Sequence, residues 1–278
     1  MNNYHLFFLC GFATPNIERV IKFVEWLVQA VPAKGKLHLI ARQREDPIKL
    51  EPTLQGDWEK CRAELRQLNI QNFSISNKKW NTSGTELFFY FENVHNVARF
   101  IPQSIYSVDP QPIKVPIPEG IKIFSLGLRR DVWEACERSS LAERVIGEVG
   151  SLFLDLGWAY GYAHSPARLI TGRYSLIGAE GENKPRIIDF DYMHKIEQIY
   201  RLNLLSNSLL QQLKDPSRLR TLDSDQIRYK PLSKNGEIKG GALHLLDYSP
   251  KTVQAATSAL EPLVWHPGEK QIGRAPEP

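Results

Sequence analysis

In this 278-residue sequence, Asp189, Asp191 and His194, in the run DFDYMH, are the side chains best placed to hold a metal ion. On an extended strand, two carboxylates two positions apart project to the same side. An imidazole shortly after them completes a donor set that suits a hard or mixed cation. Such a centre would support metal-dependent hydrolysis. The same letters also describe a sheet edge with an acidic solvent face and a histidine in the following turn, because the spacing follows no specific ligand motif.

A second set is aromatic. Read as a strand, Trp158 to His164 places Trp158, Tyr160, Tyr162 and His164 on one face, with Ala159, Gly161 and Ala163 on the other. A row of large amphipathic rings has two uses. Covered by a helix it is core; exposed, it is the composition of a protein-binding hot spot, with Trp158, Tyr160 and Tyr162 as the partner-binding anchors. No RNA-binding consensus surrounds the row, so nucleic acid is not the expected partner.

Other chemistry finds little support. There is no G-x-S-x-G elbow, no P-loop and no dinucleotide fingerprint. The three cysteines, Cys10, Cys61 and Cys136, form no CxxC pair and read as reduced, buried thiols. Seven histidines are scattered singly. Arg129-Arg130 runs into Asp131 and reads as a solvated turn or the entry to a helix. No catalytic residue and no cofactor is expected from these letters.

The elements that must position these residues follow from periodicity. Tyr4 to Gly11 is a short apolar run of strand length. Thr14-Pro15 reads as an N-cap followed by proline at the first helical position. Ile17, Val20, Ile21, Val24, Leu27, Val28 and Val31 then recur at helical spacing. Leu37 to Ala41 resumes a strand pattern, a helix follows around Trp58 to Leu68 with Cys61 inward, and Phe73 to Ser76 and Glu86 to Glu92 read as strands. Prolines at 102, 110, 112, 116 and 118 exclude a helix and predict an extended connection. Ile121 to Leu128 is a further strand. Ser140 and Glu143 stand at capping-box spacing ahead of an apolar stripe ending at Leu156, where Gly157 closes the helix. Strands are expected at 158–164, 186–190, 196–204 and 242–247, a short helix at 207–213, and a last helix opened by Ser249-Pro250.

The expected fold is therefore α+β, mostly antiparallel sheet with helices packed on it. It divides into an N-terminal half (1–101), a Pro-rich connection (102–119), a C-terminal half (120–265) and a polar tail (266–278). Each half opens strand, helix, strand, so the two could be similar units. A formal charge of +4 and a pI near 8.8 are mild, far from those of a nucleic-acid arm or a membrane-surface helix. No apolar stretch approaches a membrane span or a secretion signal, which points to the cytoplasm.

The C-terminal third resembles bacterial type VI secretion immunity proteins. The likeness is carried by Ile196 to Leu213 (IEQIYRLNLLSNSLLQQL), the Gly240-Gly241 pair, the strand ALHLLD and the Ser-Pro-started helix. The matching residues are Tyr200, Asn203, Leu209, Leu213, Gly240 and Gly241; Leu202 stands where the family often carries tryptophan. The resemblance implies a small cytoplasmic α+β protein that neutralises a secreted toxin by occlusion, with a protein as its partner and no catalytic residue. A net charge of +4 argues against a basic nuclease as that toxin, because encounter is steered by opposite charges. The alternatives are the metal-dependent hydrolase above and a purely structural, scaffold role.

Overall fold

The computed structural model describes residues 4–11, 16–31, 36–41, 48–50, 54–67, 72–76, 86–94, 121–164, 195–196 and 199–264. Ten strands join edge to edge: β1 (Tyr4–Gly11), β2 (Leu37–Ala41), β3 (Ile48–Leu50), β4 (Asn72–Ser76), β5 (Leu87–Val94), β6 (Ile121–Arg129), β7 (Tyr160–His164), β8 (Leu202–Ser206), β9 (Ile227–Lys234) and β10 (Glu237–Leu245). Their order across the sheet is β3-β2-β4-β5-β6-β1-β7-β8-β10-β9. All pairings between these ten described strands are antiparallel. The α+β expectation holds.

The first strand of the N-terminal half does not stay with that half. β1 lies between β6, pairing Tyr4 with Arg129, and β7, pairing Leu6 with His164. One sheet therefore runs continuously through both halves.

Alternation divides the sheet into two faces. On one face, Phe7, Leu9, Leu39, Ile75, Phe89, Phe124 and Leu126 join a single core with α1 (Ile17–Ala30), α2 (Gln55–Gln67), α3 (Arg130–Arg138) and α4 (Leu141–Asp155). The α1 stripe is buried as its spacing predicts: Val20, Ile21, Val24 and Leu27 are all fully enclosed. Arg19 joins Asp155 at 2.6 Å and Lys234 reaches the same carboxylate at 3.1 Å, tying α1, α4 and β9 together. On the opposite face, Phe8, Tyr160, Tyr162, Leu205, Leu243 and Leu245 form a second core with Ile196, Ile199, Tyr200, α5 (Asn207–Leu210), α6 (Arg218–Thr221) and α7 (Pro250–Ala259).

Several boundaries differ from expectation. α1 starts at Ile17, and the side chain of Asn16 supplies the cap by accepting from the Arg19 amide at 3.3 Å; Thr14 and Pro15 lie outside the described residues. The capping box at Ser140 does not form. Ser140 sits in the left-handed region (φ 57°), where α3 turns into α4, and its side chain caps nothing. α3 itself is longer than a helix entry. The strand expected over 196–204 is confined to Leu202–Ser206, with Ile196 making only an isolated bridge to Val264. β3 and β9 were not expected. β9 carries Pro231, tolerable only because an edge strand needs no second ladder, and it meets β10 through Asn235 (φ 53°) and Gly236 (φ 81°). Asn-Gly with both residues at positive φ is the two-residue hairpin loop. The Ser249 cap appears as predicted, its hydroxyl accepting from the Thr252 amide. The 102–119 connection, the 186–190 strand and the 266–278 tail lie outside the described residues.

Candidate functional site

The aromatic row is split between the two faces. α4 ends with Gly157 at φ 61°, the Gly157 amide donating to Leu154 O at 3.1 Å and the Trp158 amide to Phe153 O at 3.2 Å. That pair of bonds is a Schellman closure, in which the residue after the glycine packs back on the last turn. Trp158 therefore belongs to the helix end. It lies in the same core as Phe153, with its ring 6.0 Å from Phe124. The strand begins only at Tyr160, so Tyr160 and Tyr162 face the other way. The expectation of one row on one strand face is corrected: the helix closure overrides strand alternation at Trp158.

All three anchors are interior. Trp158, Tyr160 and Tyr162 are 2 %, 0 % and 3 % exposed, which is the core alternative rather than an open binding face. Tyr162 lies over Phe8 (5.0 Å) and stacks on Tyr200 at 3.9 Å with the rings 11° apart. Gly161 lets this strand approach β1, since a Cβ there would meet Leu9 Cδ2 at 2.3 Å.

The residues that carry the family resemblance also have structural tasks. Asn203 is fully buried; its amide nitrogen donates to Tyr200 O at 2.7 Å and its carbonyl accepts from the Tyr200 amide at 3.0 Å. One side chain thus closes the turn that presents Tyr200 to Tyr162. Leu209 and Leu213 are buried in the same core. At Gly240 a Cβ would stand 2.6 Å from Leu205 O, and at Gly241 it would meet the Tyr229 ring at 2.7 Å.

A surface pocket that sequence reasoning missed lies where β6 runs into α3. Its volume is about 280 Å³. Its lining includes the charged Glu86, Arg129 and Asp131 and the apolar Val132, Ala135 and Leu141. Arg129 donates from Nε and Nη2 to the two Asp131 oxygens at 2.6 and 2.7 Å, and from Nη2 to Glu86 at 3.1 Å. These bonds hold the Asp131 carboxyl below its usual range. On α3 itself, Trp133 stacks face to face on buried His5 at 3.9 Å and donates to Glu137 at 2.8 Å. The only hint in the sequence was the Arg-Arg-Asp run; Glu86 is contributed from a remote strand end.

Nothing in this arrangement activates a nucleophile. Cys136 lines the pocket, but burial pushes its thiol up, away from the reactive thiolate. Cys61 is likewise pushed up to about 12, chiefly by burial. His244, on β10, is driven down to about 4 by burial and by Arg201 and Arg228. Among the described residues no group of three or more His, Cys, Asp or Glu side chains could hold a metal. Asp189, Asp191 and His194 lie outside the described residues. Among the described residues, no helix is long and apolar enough to cross a membrane.

No protein-family model matches this sequence, and no curated protein matches it. Among solved structures, the fold is similar to that of a Pseudomonas aeruginosa protein described as T6SS protein PA0821, a protein of the type VI secretion system. The TM-score is 0.57 and the identity 13 %, over 94 % of this chain and 77 % of that one. At that identity the likeness is one of fold.

Proposed function

We propose that this chain is an immunity-type protein that binds a cognate bacterial toxin in the cytoplasm and neutralises it by occlusion, without catalysis. The observation that carries this reading is the likeness to a type VI secretion protein, which extends over 94 % of the chain. It agrees with the independent resemblance of the C-terminal third to immunity proteins. The charge chemistry agrees with it: at the pocket Arg129 bonds both Asp131 and Glu86 in a fixed salt-bridged group, and an Asp131 carboxyl held below its usual range is poorly matched to general acid or base work near neutral pH. Trp158, Tyr160 and Tyr162 serve this function from inside, by fixing the sheet that presents the surface.

The test is to capture the protein's partner from its native host with tagged full-length chain, then express that partner in a sensitive strain. Stoichiometric capture, followed by growth rescue on co-expression of this chain, is the expected result. A captured partner that is harmless when expressed alone, or toxicity unrelieved by co-expression, sinks the reading.

A further inference from the structure

We draw no further inference here: the strongest candidate, the surface pocket where β6 runs into α3, sets the uncommitted Nη1 N–H groups of Arg129 beside the Asp131 and Glu86 carboxylates that its other donors bond, so an anion and a cation fit it alike and nothing in the structure selects its occupant.

Discussion

The two faces of the sheet are covered by different means. On one, α1, α2 and α4, of 14, 13 and 15 residues, lie with the shorter α3 over strands from both halves of the chain, and a single core results. On the other, the core belongs to β1, β7, β8, β9 and β10 and is covered by short helices and irregular chain. There, position is set by side chains bonding to backbone: Asn203 to Tyr200, Tyr248 to Ile199 at 2.8 Å, and Ser206 and Ser249 at helix starts. The contrast teaches that a long helix places itself by burying a stripe, whereas a short connection needs a polar clamp to say where it lies.

The comparison can be broken first at its aromatic stack. Tyr162→Ala should cost about 3–5 kcal/mol in urea unfolding, as core aromatics do, matching or exceeding the ~2–5 kcal/mol of Leu152→Ala on the helical face. A cost below that of a surface change would mean the clamped face is not a true core.

Acid should act next. His244 is neutral and half-buried in the folded chain, its value lowered from the usual 6.5 to about 4, first by desolvation and then by Arg201 and Arg228. Between those values the unfolded chain takes up a proton that the folded one refuses. Stability is therefore full above pH 6.5 and falls as pH drops toward 4, by up to about 3 kcal/mol from this group. His244→Gln should flatten that limb of a stability-against-pH curve; an unchanged slope would remove His244 as its source.

Asn203→Ala tests the clamp itself. It removes both hydrogen bonds that Asn203 makes to the Tyr200 backbone and should cost roughly 2 kcal/mol, with faster hydrogen exchange at Tyr200 while β5 and β6 stay protected. The smallest effect lies on the helical face, where a Cβ at Gly147 of α4 meets nothing within 4 Å. Gly147→Ala should add about 0.5–1 kcal/mol, read as a higher urea midpoint.

What could be read in the sequence follows the same division. The α1 and α4 stripes, the Ser249 start and the Gly157 stop were visible because each is a local rule. Trp158 was misplaced because two local rules competed for one residue, strand alternation and helix closure, and closure prevailed. β9 was hidden by Pro231 and its lysines, the very features that keep an edge strand from pairing further; Asn235-Gly236 was the available signal. The Glu86–Arg129–Asp131 pocket could not be found by spacing, since its members meet only through the β5–β6 pairing that sets Leu87 opposite Leu128.

The place of β1 has a consequence in time. Both of its neighbours, β6 and β7, are made much later than β1 itself, β6 beginning at Ile121. At ~5–20 residues per second, on the order of ten seconds pass between the emergence of Gly11 and that of its first partner strand. Through that interval an apolar strand waits with both edges bare, a template for any passing chain. Crowded ribosomes and scarce chaperones are therefore the conditions under which this protein is most vulnerable, and a nascent chain cut short before β6 has no route to burying the strand it made first.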